Sequence, residues 1–372
     1  MTVRALFAHG GLERGGAERV LRSLLRALDR SRVEPVVAFA GDGPFYEEIE
    51  ALGIEIVRVP APARLRQIHQ TPHMVAALRR AVERSGADVV VANGEKMAVY
   101  TGWAARRASR PCVHWLHDAP GTGAGPWSAT AAMAATPRAA AIVPSRWMAD
   151  AFRRRFRLRA AVVENGIDLA ELDEAERAAT DVRAESGWPG DAVVAAHVGR
   201  LQRWKGADVF LRAAARTAQA HDCLRYLVVG GALFGREAGY AASLPSTASA
   251  LGLNGEVRFT GHRLDATALM AASDIVVHCS TRPEPFGLVV AEGMALGKAV
   301  IATRTGGPEE MIEHRRTGLL VPPGDHAALA AALGELGERA LGQRIFHAAA
   351  GDDQRASCSL DGRSRGAQLL AI

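Results

Sequence analysis

Residues 193–220 read VVAAHVGRLQRWKGADVFLRAAARTAQA. The stretch opens with a short apolar run broken only by His197, which is the pattern of a strand covered on both faces of a parallel sheet. From Gly206 onward the apolar residues recur three and four positions apart, as on a helix. Between strand and helix stand Arg200 and Lys205, at the carboxyl edge where ligands of open α/β sheets bind and where a diphosphate would lie. Arginine can clamp two oxygens at once, and lysine supplies a compact charge on a flexible stem. The chain has only three lysines, Lys96, Lys205 and Lys298, so one placed here stands out. The plainer reading is a pair of solvated surface cations.

The same grammar extends in both directions. Downstream come RYLVVGG, EVRFTG, DIVVHCS, KAVIAT and GLLVPPG, with GADVFLRAAARTAQA, ATALMAAS and AEGMALG as helical intervals. Upstream, VRALFAH, EPVVAFA, IEIVRV, ADVVVAN, RPCVHWLH, AAAIVPS and AAVVENG alternate with helical stretches such as AERVLRSLLRALDR and AALRRAVERSG. Strand–helix alternation predicts α/β architecture with parallel sheets covered on both faces. The charged stretch LAELDEAERAATDVRAESGWPGD interrupts the rhythm and reads as a linker with some helix. The expected organisation is a domain over 1–170, a linker over 171–190, a second domain over 191–335 and an atypical tail over 336–372. Two doubly wound, Rossmann-like domains facing across a cleft would put the active site in that cleft.

Bulk properties narrow the function classes. The 372 residues are too many for one ordinary core and comfortable for two. An apolar fraction of 48% and a charged fraction of 23% are those of a globular protein. No apolar run is long enough to span a bilayer, and the N-terminus reads as a buried strand rather than a secretory signal. Cys112, Cys223, Cys279 and Cys358 lie far apart, which argues against a metal site or disulfide framework and for a cytoplasmic setting. The net charge of +5 suits an acidic partner, but aromatics are only 5% and no aromatic-plus-basic stripe is present, so nucleic acid is not expected. The run AFRRRFRLR (151–159) reads as a solvated helix end. With Arg19, Arg22 and Arg26 it has a second reading, peripheral contact with an anionic membrane or acceptor.

Several loops carry candidate chemistry. After the first strand, Gly10, Gly11, Gly15 and Gly16 form a glycine-rich turn ahead of a helix N-terminus, an arrangement that either closes a tight turn or admits an anion. Its spacing is not Gly-x-Gly-x-x-Gly. Further along, EPFGLVVAEGMALG places Glu284 ahead of an apolar helix and Glu292 inside it. A buried carboxylate needs a hydrogen-bonding partner, and ligand hydroxyls or a buried arginine would serve. Eight residues of helix span about 12 Å, a separation suited to holding two parts of one elongated ligand. It is too wide for a carboxylate pair attacking one bond from opposite faces. No Asp-x-Asp occurs, so no metal is expected beside a phosphate. Asn165-Gly166 is a turn or a cleft residue, and Gly306-Gly307-Pro308-Glu309 reads mainly as a loop before a helix.

The motifs GGAERV, VPSRWM, VENGID, VGRLQRWKG, VRFTGH, EPFGLVVAE and TGLLVPPGD, in this order, resemble the family 4 (group 1) glycosyltransferases over about residues 3–335. The resemblance implies the two-domain GT-B fold, retention of anomeric configuration and transfer from a nucleoside-diphosphate sugar, UDP- or GDP-linked. The acceptor would be a hydroxyl of a saccharide, lipid-linked or small molecule, with no cofactor or metal. It further implies that Glu292 holds the ribose and that Glu284 contacts the transferred sugar beside Phe286, Gly287 and Leu288. Arg200 and Lys205 would neutralise the diphosphate, Gly16 would approach it, and His262-Arg263 would border the base. His117 matches the family histidine that faces the donor sugar, with a satisfied core histidine as the alternative, whereas His114 reads as structural. Asn165 is counted with the donor side, and Asn93 and Lys96 with the acceptor side. Two other readings are a nucleotide-sugar epimerase of similar architecture and a non-catalytic two-domain sensor of nucleotide sugars. Enzymes of this fold usually close with a helix that returns to the first domain. After Leu333 the apolar periodicity is faint, which predicts a weakened closing helix or a change of reading frame near residue 345.

Overall fold

A computed structural model describes residues 2–10, 15–40, 43–60, 71–120, 133–232 and 237–350, with side chains as far as residue 340. The chain divides into two compact units, Met1–Gly166 and the part from Ile167 onward. The first contains a seven-stranded sheet in the order β3-β2-β1-β4-β5-β6-β7: β1 (Val3–His9), β2 (Val33–Ala40), β3 (Glu55–Val59), β4 (Val89–Asn93), β5 (Cys112–Trp115), β6 (Ala140–Val143) and β7 (Ala161–Val162). The second contains a six-stranded sheet in the order β10-β9-β8-β11-β12-β13: β8 (Val193–Val198), β9 (Leu224–Val229), β10 (Val257–Gly261), β11 (Ile275–His278), β12 (Ala299–Thr303) and β13 (Leu319–Val321). Every pairing is parallel.

Helices cover both faces, so central strands are apolar on alternate and intervening positions alike. Leu6, Ala8, Val36, Val37 and Ala38 have no exposed surface, and neither do Val193, Val194, Ala195 and Ala196. Each sheet reverses its winding once, between β1 and β4 in the first and between β8 and β11 in the second. These reversals part the loops at the carboxyl ends and create the crevice that doubly wound sheets use for ligands.

The stretch expected to be a linker is folded into the second unit. Helix Leu169–Arg177 buries Leu172 against Met270, Val276 and Val290. Helix Val182–Ser186 buries Val182, and Trp188 follows it into the same cluster with Val194 and Leu227. Arg183 forms a buried ion pair with Asp274, whose carboxylate also accepts from the Val194 amide at 2.7 Å. Few apolar residues anchor each short helix, which is why the sequence looked like a connector.

Helix His326–Ala350 runs through position 336 without a break, with Leu336 and Ala340 packed against the second core. Gly337 sits against Leu224, where an added Cβ would lie 3.0 Å from a side-chain methyl, so this glycine permits close packing. Residues 351–372, and with them the expectations for the end of the tail, lie outside the described residues. Among the described residues no helix is long and apolar enough to cross a membrane. The arginine-rich run forms the end of helix Arg146–Phe156, with Phe152 buried and Arg153, Arg154 and Arg155 exposed.

Candidate active site

In the second unit, polar side chains gather at the β8/β11 reversal. β8 runs into Gly199, whose φ of 151° is open to glycine, and then into half-buried Arg200. A single 3-10 turn, Arg203–Lys205, follows and ends at Gly206 with φ 75°. A Cβ on Gly206 would stand 2.1 Å from the Cys279 carbonyl oxygen, so only glycine lets this turn lie against the end of β11. That contact delivers Lys205 to Glu284: its Nζ is 2.5 Å from Oε2, and the two side chains are 17% and 12% exposed. Ser280 Oγ donates to the same oxygen at 3.1 Å, and His278 Nε2 lies 3.4 Å from it. The Thr303 hydroxyl donates to the Ser280 carbonyl and lies 3.3 Å from His278 Nδ1, tying the cluster to β12.

Burial alone would raise the Glu284 pKa, but the Lys205 ammonium and the hydrogen bond and charge of His278 outweigh it. The carboxyl is held well below the usual carboxylate range. Its backbone is fixed from the far side by a bridge to Gly306 and by the Gly307 amide, which donates to the Glu284 carbonyl at 2.8 Å. Glu284 thus lies in a bridged extended segment, and the lysine expected to face a phosphate is engaged with it. Glu292 is 4% exposed on helix Leu288–Ala295, as the apolar surroundings predicted. Phe286 is buried, Gly287 takes a left-handed φ of 97° and Leu288 opens that helix. His262 is exposed, and Arg263 is committed to a two-pronged bond with Asp265 at 2.7 and 2.5 Å.

The first unit holds the other expected residues. His117 follows β5, and its Nε2 lies 2.5 Å from Oδ1 of Asn93, the last residue of β4. Burial and the neighbouring His9 push the His117 pKa down to about 3, so the ring is neutral. Lys96 is exposed on helix Glu95–Arg107, and Gly16 begins helix Gly16–Ala27. Asn165 is buried, and its Oδ1 has no hydrogen-bond partner among the described residues. His114 is fully buried, neither ring nitrogen has a hydrogen-bond partner among the described residues, and burial and Arg138 push its pKa down to about 4, which fits a core role.

Glu95 was not singled out in the sequence. It opens its helix, where acidic residues commonly sit in solvent beside the helix dipole, yet it is 7% exposed and accepts from the Asp118 amide at 3.2 Å. Burial, then the Asp118 charge, raise its pKa to about 8. Below its ordinary value of 4.5 both folded and unfolded chains carry the proton; between 4.5 and about 8 only the folded chain does, so rising pH erodes stability through that window. At about 1.4 kcal/mol per unit, the loss is on the order of a few kcal/mol above the folded pKa. Glu95→Gln is therefore expected to match the parent's melting temperature near pH 5 and to exceed it near pH 9. Equal melting temperatures at the alkaline end would show that Glu95 ionises freely.

Two doubly wound α/β units, each with polar groups collected at its topological switch, define a protein of the GT-B class. Residues 14–171 match the family described as Glycosyltransferase Family 4, and residues 179–344 match Glycosyl transferases group 1. The chain belongs to the group 1, family 4 glycosyltransferases. HepE from Anabaena, crystallised with UDP and glucose, is similar over 99% of this chain and 96% of its own, with a TM-score of 0.78 and 28% identity. A sucrose-phosphate synthase from Thermosynechococcus elongatus shares the fold over 99% of this chain and 95% of its own, with a TM-score of 0.72 and 21% identity. The D-inositol 3-phosphate glycosyltransferase of Corynebacterium urealyticum is 38% identical over 183 residues, 48% of this chain and 43% of that protein. The chain thus spans less than half the length of the curated relatives it matches.

Proposed function

We propose that the protein is a retaining, metal-independent glycosyltransferase that moves a sugar from a UDP-linked donor to an acceptor hydroxyl. The observation that carries this reading is the Lys205–Glu284 pair, held with His278 and Ser280 at the β8/β11 switch point. A lysine fixed on the same loop after β8 as half-buried Arg200 supplies positive field for a departing diphosphate, and preorganised charge of this kind is what such a leaving group requires. Glu292, buried four residues into an apolar helix, is suited to accept two ribose hydroxyls. The choice of uridine over guanosine leans on HepE, which is seen with UDP-glucose. The acceptor hydroxyl docks on the first unit near His117 and Asn93.

The direct test is incubation with UDP- and GDP-sugars, following release of free nucleoside diphosphate with and without a panel of saccharide and lipid-linked acceptors. Acceptor-dependent release of UDP, undiminished by EDTA, is the expected result. Tight binding without turnover across the panel would indicate a sensor, and interconversion of the donor sugar an epimerase. Glu292→Ala should weaken UDP binding by about 10- to 100-fold, the worth of hydrogen bonds to a charged group, as read by calorimetric titration. An unchanged affinity removes the ribose assignment.

A further inference from the structure

Three donors meet the Glu284 carboxylate, and all of them end on the same oxygen. Lys205 Nζ lies 2.5 Å from Oε2, the Ser280 hydroxyl donates to it at 3.1 Å, and His278 Nε2 stands 3.4 Å away. Oε1 accepts from no group among the described residues and is not sealed from solvent, the side chain keeping 12% of its surface exposed.

This asymmetry has to be imposed. The last torsion of a glutamate is broad and two-fold, so a carboxylate left to itself offers either oxygen. Lys205 cannot choose between them, because a point charge on a flexible stem follows whichever oxygen arrives. Ser280 and His278 can, since both are short side chains buried at 0% and 3% exposure. Behind them stands Thr303, 1% exposed at the end of β12 and one residue past the Ala302 that pairs with His278. Its hydroxyl donates to the Ser280 carbonyl at 2.9 Å and lies 3.3 Å from His278 Nδ1. A hydroxyl both donates and accepts, so the second contact holds whether Nδ1 is bare or carries a proton. Threonine is stiff at χ1, which gives the link a fixed origin.

We propose that Thr303 and His278 are positioning residues that, with Ser280, hold Glu284 by Oε2 and leave Oε1 as the oxygen presented to a substrate hydroxyl. That this hydroxyl belongs to the transferred sugar rests on the glycosyltransferase reading; the aim of the carboxylate does not. An acceptor held at a fixed point selects among donors. It favours a sugar whose hydroxyl reaches it and rejects one that leaves a charged oxygen unpaired.

The test compares crystal structures of the parent, Thr303→Val and Thr303→Ser. Valine keeps the branched shape without the hydroxyl, and serine keeps the hydroxyl. Parent and Thr303→Ser should show Ser280 and His278 on one carboxylate oxygen. In Thr303→Val at least one of them should part from it beyond about 3.5 Å, the reach of a hydrogen bond. A Thr303→Val carboxylate that keeps both contacts would overturn the proposal. With a working UDP-sugar, Thr303→Val should lower kcat/KM on the order of tenfold while affinity for UDP, which lacks the sugar, stays within about twofold. Thr303→Ser should restore most of the loss. Monodeoxy donors locate the partner of Oε1: with the one that lacks the hydroxyl it meets, the gap between parent and Thr303→Val should vanish. A shifted carboxylate with unchanged kcat/KM, or a gap that persists with every monodeoxy donor, would overturn the substrate-facing role. Should Thr303→Val fail to fold, His278→Gln, whose amide nitrogen can replace Nε2–H, should retain more turnover than His278→Leu. Equal losses in those two would overturn the role of the ring. No turnover with any donor would overturn the glycosyltransferase reading and the sugar as partner, while the crystal structures still decide what holds the carboxylate.

Discussion

Lys205→Ala is expected to lower turnover by about 10²- to 10³-fold, the usual cost of removing one preorganised charge from a reacting centre. It should also destabilise the second unit by about 3–5 kcal/mol, because it strands a carboxylate inside the protein. Glu284 would keep Ser280 and His278 but lose the ammonium at 2.5 Å that does most to offset its burial. The acid response should change with it. A carboxyl whose folded pKa lies below its ordinary 4.5 contributes stability that is present above that pH and lost as the pH falls. The parent should therefore weaken on acidification, and Lys205→Ala, with Glu284 easier to protonate, should weaken less steeply. A double-mutant cycle separates pair from parts. Lys205→Ala with Glu284→Ala should be destabilised by at least about 1 kcal/mol less than the sum of the single variants, since the second removal takes away the charge the first left stranded. Additive losses in denaturant melts would show that the two side chains act independently.

The strands were legible because a parallel sheet buried on both faces writes itself as unbroken apolar runs. Each of the thirteen runs noted in the sequence overlaps one of the thirteen strands among the described residues. The short helices between 169 and 186 were not legible as part of a domain, since Leu172 and Val182 give too few apolar positions to set a period. Arg200, Lys205, Glu284 and Glu292 could each be picked out by residue type against their surroundings. The contact between Lys205 and Glu284 could not, because 79 residues separate them and only the β8–β11 adjacency joins them. His278 and Thr303 were hidden for a related reason. A histidine and a threonine ending apolar strands are ordinary locally, and their meaning arises where β11 and β12 pair. Glu95 is disguised in the same way, as a first-turn acid that happens to face inward.

Gly306→Ala is expected to abolish most activity although residue 306 offers no side chain to a substrate. The position has φ 78°, and a Cβ there would lie 2.2 Å from the Glu284 carbonyl oxygen and 2.8 Å from its amide nitrogen. Both are backbone atoms, so no rotamer change relieves the overlap. The left-handed conformation alone costs alanine about 1–2 kcal/mol. The larger effect is displacement: the Glu284 segment must move off Gly306 and Gly307, breaking the bond from the Gly307 amide. A shift of about 1 Å is enough to cost on the order of 10²-fold in rate when it carries a reacting group out of place. Gly324→Ala provides the comparison. Gly324 has nearly the same φ, 75°, but nothing lies within 4 Å of its would-be Cβ. It should lose about the same conformational energy and keep full turnover. If Gly306→Ala only matches Gly324→Ala in kcat and in melting temperature, the glycine is needed for its own turn and not to hold Glu284 against Lys205. A fall confined to Gly306→Ala locates the effect in the approach of two backbones, which the sequence had shown as an ordinary loop.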